Sequence, residues 1–301
     1  MGGFTDNVFE YKGKKGNFIL KYYVSSHYEK SSLESELDWI LYLDEAGVNV
    51  TTPLSSLRGI LLETVQLNNE EECWIVAFEK AEGKFVSVSD KREWNPDFFY
   101  TWGKTLGEIH SLSKKYKPIT NRNEWNSGPI FTAPKNVSSE IKTRWNMYIQ
   151  ELGKLSKGVD CYGMIHHDLH HKNFYINNKE IVLFDFGDCE CNWFVYDIAI
   201  VLYHALQTIN ENDSQERKEF ALQFFQPFLR GYKTENQLDP SWLKKIPIFL
   251  NYRQIYSYMY LSNYLTEEQK SKGKTKEALS RMKINIENDK PYLNLQFNRM
   301  I

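Results

Sequence analysis

A chain of 301 residues with 42% hydrophobic and 25% charged side chains has the balance of a globular protein and enough length to bury substantial cores. Its formal net charge of −2, with no dense run of Lys and Arg, excludes nucleic acid as an expected partner. No apolar stretch approaches the length that crosses a bilayer, no secretory apolar region opens the chain, and Cys73, Cys161, Cys189 and Cys191 are too few for a disulfide scaffold; a soluble cytoplasmic protein is expected, its oligomeric state left open.

In chain order, residues 8–11 and 18–23 are apolar and aromatic runs separated by Lys12-Gly13-Lys14-Lys15-Gly16, whose glycines accept positive φ. This spacing predicts a β-hairpin with Lys21 on its second strand. Ahead of it stands Gly2-Gly3-Phe4-Thr5-Asp6-Asn7, a glycine pair that alone is weak evidence. Residues 31–45 read as a helix: Ser31 and Glu34 suit a capping box, and Leu33, Leu37, Ile40, Leu41 and Leu43 form one stripe. Glu36 falls inside that stripe, a costly place for an unpaired carboxylate. Trp74-Ile75-Val76-Ala77-Phe78 reads as a buried strand running into Glu79-Lys80. Asn95-Pro96, an N-cap followed by proline at the first helical position, opens a helix toward Leu112 whose inner face carries Phe99, Trp102, Leu106, Ile109 and His110. His110 is expected to be a hydrogen-bonded structural residue. An ordered loop over 116–134 and a helix over 138–155 follow.

The densest signal spans residues 164–188: Met-Ile-His166-His167-Asp168-Leu-His170-His171-Lys172-Asn173, then the apolar strand Val182-Leu183-Phe184 running into Asp185-Phe186-Gly187-Asp188. A carboxylate followed five residues on by Asn, then a short strand ending in a second carboxylate, is the spacing that holds metal-bound phosphates beside a base. The transition state for phosphoryl transfer is loose, so a protein mainly positions the acceptor hydroxyl and offsets charge on the phosphate oxygens. Asp168 would accept the hydroxyl proton, and Asn173 and Asp185 would supply oxygens to Mg²⁺, which prefers hard ligands.

The pattern His-x-Asp-Leu-His-x-x-Asn followed by Phe-Asp-Phe-Gly-Asp, with Trp102-Gly-x-x-Leu-Gly-x-Ile-His110 upstream, resembles the aminoglycoside phosphotransferase and choline kinase-like superfamily, relatives of the protein kinases. The resemblance implies an α+β, bilobal protein kinase-like fold, with a small antiparallel-sheet, nucleotide-binding N-lobe over 1–80 and a mainly helical, catalytic and substrate-binding C-lobe over 81–301. It implies transfer of the γ-phosphate of ATP or GTP, with Mg²⁺, to a hydroxyl of a small molecule of aminoglycoside, amino alcohol, homoserine or sugar type. Asp168 matches the base, and Asn173 and Asp185 the metal ligands. Lys21 matches the phosphate-contacting lysine, with Glu36 as its expected ion-pair partner. The segment ending in Asn7 resembles the glycine-containing phosphate loop, and the backbone from Phe78 to Lys80 takes the place of the purine contact. A strand normally precedes that loop, so the N-lobe is expected to lack its first strand. His167 and Lys172 depart from the family pattern, standing where glycine is usual.

Beyond Asp188 the chain leads almost directly into a helix over 196–207, leaving little room for a protein kinase's peptide platform. A small acceptor is therefore expected between the motif and the later helices, read over 214–229, 238–265 with interruptions, and 276–286. Asp188, Glu190 and Trp193, near the metal site, and Tyr256, within the Tyr252, Tyr256, Tyr260 stripe beside Arg253, are candidates for acceptor contacts; core packing is the other reading of that stripe. Two alternatives stand beside the kinase: a catalytically silent nucleotide- or metabolite-binding relative, and a zinc-binding module made from His166, His167, His170, His171, Cys189 and Cys191. The close spacing of the two cysteines speaks against the second.

Overall fold

The computed structural model describes residues 7–13, 16–67, 71–119, 123–132, 137–210, 213–295 and 297. The first described elements are β1 (Val8–Gly13), β2 (Gly16–Val24), α1 (Lys30–Glu45), β3 (Pro53–Leu54), β4 (Glu63–Gln66) and β5 (Glu72–Glu79). β1 and β2 form the expected antiparallel hairpin, with Val8 opposite Lys21. The sheet runs β1, β2, β5, β3, and β4 also pairs with β5. β5 alternates in the manner of a half-buried strand, burying Trp74, Val76 and Phe78. Onto this sheet α1 turns Leu33, Glu36, Leu37, Ile40 and Leu43, all buried. The helix starts at Lys30 behind Glu29, without a side-chain cap, so the capping box of Ser31 and Glu34 does not form. Burial of the apolar stripe fixes this helix, and its first turn needs no capping bond.

The chain continues through α2 (Pro96–Ser113), α3 (Pro129–Thr132), α4 (Ser139–Leu152), β6 (Tyr162–Ile165), β7 (Phe174–Asn177), β8 (Glu180–Leu183), β9 (Glu190–Trp193), α5 (Phe194–Leu206), α6 (Ser214–Glu235), α7 (Pro240–Leu243), α8 (Ile246–Tyr264), α9 (Glu267–Lys270) and α10 (Gly273–Glu287). A small antiparallel sheet followed by a mainly helical part is the bilobal protein kinase-like α+β architecture. Asn95 caps α2 as its sequence predicts, accepting the N–H groups of Asp97 and Phe98.

α2 and α6 cross with their backbones almost in contact. A Cβ on Gly103 would stand 1.8 Å from the Phe228 carbonyl oxygen, and one on Gly107 2.5 Å from that of Tyr232. The glycines of the Trp-Gly-x-x-Leu-Gly phrase are thus the condition for this crossing. α5, apolar on all sides, is buried beneath α6 and α8.

The β7–β8 hairpin is gripped on both edges. Ile176 and Lys84 exchange N–H···O bonds of 2.8 and 3.2 Å, while Leu183 donates to Asn49 at 2.8 Å and accepts from Thr51 at 2.9 Å. Segments on either side of β5 therefore hold the hairpin that carries Asn173 just before its first strand and Asp185 just after its second.

Candidate active site

β6 delivers the chain into the loop from His166 to Asn173, and the anchor of that loop is Asp197 in the first turn of α5. Its Oδ2 accepts the His166 N–H at 3.0 Å and His110 Nε2–H at 3.2 Å, and its Oδ1 accepts the His167 N–H at 3.0 Å. Burial alone would push this carboxyl up, but the His110 hydrogen bond leads the interactions that hold it below the usual range. His110 completes the arrangement by accepting from the Tyr232 hydroxyl at 2.9 Å, as befits a structural histidine. Asp197 was not read as functional from sequence. The available signal was a carboxylate inside the apolar run 194–202, where burial demands donors.

His167 sits at φ +69°, the left-handed region that glycine enters freely, which accounts physically for the glycine usual at this place. Here a histidine is held there by hydrogen bonds at its N–H, its carbonyl and its Nδ1. Besides the Asp197 bond, its carbonyl accepts from Arg253 Nη1 at 3.3 Å, and its Nδ1–H donates to the Asp188 carbonyl at 3.1 Å. Lys172, the second departure, donates its backbone N–H to His170 Nδ1 at 3.1 Å.

That last bond fixes a tautomer. Because His170 Nδ1 accepts, its proton lies on Nε2, which faces Asp168 Oδ2 at 3.4 Å. Asn173 Nδ2 donates to the same oxygen at 3.2 Å and to the Asp168 backbone carbonyl at 2.9 Å. Arg253 Nη2 donates to Oδ1 at 2.9 Å. Burial alone would raise the Asp168 pKa, yet the hydrogen bond from His170 and the nearby Arg253 charge contribute to holding it well below the ordinary carboxylate range.

Asn173 and Asp185 lie at the two ends of the gripped hairpin and are tied by the Phe184 N–H donating to the Asn173 carbonyl at 3.1 Å. With its amide nitrogen committed to Asp168, Asn173 is left with Oδ1 as its free face. Asp185 takes φ +65°, and its half-exposed carboxylate pairs with Lys21 Nζ at 2.5 Å. An amide oxygen and a carboxylate fit a hard divalent cation. Lys21 thus pairs with Asp185 where Glu36 was expected. Glu36 is buried nearby, and desolvation pushes it up to about 7 against the opposing charge of Lys21. Of the phosphate-loop segment, residues 2–6 lie outside the described residues. Asn7 fastens its end to β2, donating to the Tyr22 carbonyl at 3.0 Å. Phe78 lies within the sheet with its ring buried, and the chain leaves the sheet at Lys80, whose amine pairs with Glu10 at 2.8 Å.

Asp168 opens onto a cavity of about 860 Å³ whose walls include Asp188, His204, Arg253, Tyr256 and Tyr260, with Lys274 and Glu277 of α10 farther round. A larger groove of about 1110 Å³ between residues 88–99 and α6 contains none of the motif residues, so volume alone does not mark the site. Asp188 is open to the cleft yet surrounded by protein, and desolvation, with the Asp168 and Asp185 charges, pushes it up to about 6. Its carboxylate has neither hydrogen bond nor ion pair among the described residues. Tyr256 and Tyr260 line the cavity, whereas Tyr252 is core.

Two acceptor candidates are corrected. Trp193 is wholly buried, tilted against Trp125 and Phe249 with its Nε1–H on the Ser156 carbonyl, because its register in β9 turns it inward. Glu190 sits behind His167, 3.7 Å from its Nε2, and accepts from Asn192 at 2.7 Å. The zinc reading loses its ligands as well. His166 and His167 are bonded to the Phe184 and Asp188 carbonyls, His170 faces Asp168, and the Cys191 thiol contacts Met164. Among the described residues no three His, Cys, Asp or Glu side chains converge on a metal position. Likewise no described helix is long and apolar enough to cross a membrane. Arg253 and His204, which stand against the Asp168 carboxylate, were not singled out from the sequence. The sequence offered only an Arg and a His within aromatic helical stretches.

The sequence pattern of the phosphotransferase enzyme family matches residues 2–237. The chain is 34% identical over 307 aligned positions to amicoumacin kinase of Bacillus subtilis (strain 168), covering 98% of this chain and 88% of that protein. The structure of amicoumacin kinase hAmiN in complex with AMP-PNP, Ca²⁺ and Ami superposes with a TM-score of 0.89 at 31% identity, covering 98% of this chain and 89% of that one. A microcompartment-associated aminopropanol kinase shares the fold, with a TM-score of 0.72 at 20% identity over 94% of this chain and 87% of that one.

Proposed function

The chain belongs to the phosphotransferase enzyme family, a small-molecule kinase, and from that premise we propose that it transfers the γ-phosphate of ATP or GTP to a hydroxyl of an amine-bearing small molecule in the Asp168 cavity. The observation carrying the proposal is the continuous bond chain from Asp168 through Asn173 to the Asp185 strand, with Lys21 on Asp185 and the cavity on the far side of the base.

In this mechanism Asp168 accepts the proton of the acceptor hydroxyl while Asn173, His170 and Arg253 keep its carboxylate oriented. A divalent cation such as Mg²⁺, when bound by Asn173 Oδ1 and Asp185, offsets charge on the phosphate oxygens. Lys21 is placed to follow either Asp185 or a phosphate. The unpartnered Asp188 carboxylate beside the Tyr256 and Tyr260 rings suits an ammonium group on the acceptor. Amicoumacin is the first acceptor to try, because a kinase for it is 34% identical over nearly the whole chain.

The test is turnover of ATP and GTP with Mg²⁺ and a panel of amicoumacin, amino alcohols and aminoglycosides, the phosphorylated product identified by mass. Asp168→Asn is expected to lose roughly 10²-fold or more in kcat while nucleotide binding is kept. Asp185→Asn is expected to weaken metal–nucleotide binding as well. Nucleotide binding with no product from any acceptor would favour the catalytically silent reading, and normal turnover by Asp168→Asn would remove its role as base.

A further inference from the structure

We propose that Arg253 is a positioning residue that locks the Asp168 carboxylate in place and fixes it in register with the acceptor-binding wall; the inference rests on the phosphotransferase reading above. Arg253 projects from α8, and its guanidinium forks onto the catalytic loop, Nη2 donating to Asp168 Oδ1 at 2.9 Å and Nη1 to the His167 carbonyl at 3.3 Å. The residue is only 8% exposed, so these bonds form largely out of water. Its Nη2 also lies 3.2 Å from His204 Nε2.

A guanidinium has donors and no acceptor, so His204 Nε2 must accept from it. The His204 proton then resides on Nδ1, where the Gln207 side-chain Oε1 receives it at 3.2 Å. It follows that the 3.3 Å approach of His204 Nε2 to Asp168 Oδ1 is not a bond of its own. Two acceptors flank one donor nitrogen. Oδ1 of the base thus takes its charged donor from Arg253, whereas Oδ2 is held by both Asn173 and His170. Without Arg253, Oδ1 loses its charged donor and the carboxylate is steered from Oδ2 only, and the His167 carbonyl loses the partner that closes its left-handed turn.

The same helix continues into the acceptor wall. Tyr256, Ser257 and Tyr260 follow Arg253 within two turns and line the cavity, and the Tyr256 ring stands 5.6 Å from the guanidinium. One rigid element thus sets both the base and the surface against which the acceptor lies.

Arg253→Lys and Arg253→Met, with the wild-type chain alongside, test this in steady-state assays with the acceptor that the wild type phosphorylates. Arg253→Met is expected to lose about 10²-fold in kcat, the cost of a base out of register, with the nucleotide KM within roughly threefold of wild type. Arg253→Lys keeps the charge and reaches one acceptor but cannot fork, so it is expected to recover about tenfold of that loss. Unfolding midpoints and nucleotide affinity are measured on each variant. Should the Met variant not fold, the Lys variant alone carries the test, with a kcat about tenfold below wild type at unchanged nucleotide KM. Wild-type kcat in a folded variant, or a loss confined to nucleotide KM or matched by the unfolded fraction, overturns the assignment. A wild-type chain inactive on every acceptor overturns the phosphotransferase reading itself, and this inference with it.

Discussion

Replacing Asp197 with Asn changes a single buried atom and puts the anchor of the loop from His166 to Asn173 to the test. The carboxylate accepts three hydrogen bonds, two on Oδ2 from His166 N–H and His110 and one on Oδ1 from His167 N–H. The carboxamide has one oxygen, which best serves the side carrying two donors. Its NH₂ then meets the His167 N–H, donor against donor. A buried donor left without a partner costs about 1–3 kcal/mol, and the two surviving bonds, no longer charge-assisted, each lose roughly 1 kcal/mol. Relief of the burial penalty on the ionised group offsets part of this, leaving a destabilisation of roughly 2–4 kcal/mol. For a chain of this size that is a fall in Tm of about 3–6 °C. The damage falls on His167, whose φ of +69° already stores strain, so kcat is expected to drop further than the folded fraction does. Thermal unfolding by circular dichroism and a single-acceptor kinase assay measure the two effects. A variant with unchanged Tm and unchanged kcat would show that the three distances do not represent working hydrogen bonds.

Gly103→Ala places a Cβ 1.8 Å from the Phe228 carbonyl oxygen, where backbone on both sides must move. A loss of about 3 kcal/mol or more is expected in denaturant unfolding, and a midpoint equal to wild type would contradict the close crossing of α2 and α6. Glu190 supplies a pH signature. Burial pushes its pKa from 4.5 up to about 8, so the folded chain holds this proton more tightly than the unfolded one. Its contribution is complete below pH 4.5 and is lost as pH rises through about 8. Glu190→Gln is expected to flatten that part of the stability–pH curve and to exceed the wild type in Tm at pH 9; an unchanged curve would mean that Glu190 ionises freely in the fold.

Much of the fold is legible from local pattern. The hairpin of β1 and β2, the α1 stripe, the capped start of α2 and the helices α5, α6, α8 and α10 follow from period and punctuation, because those signals act between residues a few positions apart. Boundaries moved where packing outweighed local preference: α1 began without the Ser31 cap, and α6 ran on to Glu235 against the glycine-spaced face of α2. The gathering of Asp168, Asn173 and Asp185 in one place was equally readable, since they are set by one loop and one hairpin whose spacing is itself the geometry.

What the sequence could not reveal is which distant groups meet there and which neighbours turn away. Lys21 is 164 residues from Asp185 in the chain and yet pairs with it, while Glu36, aimed inward by its helix, does not take Lys21 as its bonded partner. Trp193 stands close to Asp185 in sequence but faces the core, because pairing with β6 fixes its side of the strand. Arg253 reaches Asp168 only because α8 packs across α5. Local spacing determines the chemistry that a loop can offer, through bond lengths and the helix and strand periods. Which charges are desolvated, paired or left open to an acceptor is decided only when separate elements pack, since burial and Coulomb energy depend on distances in space.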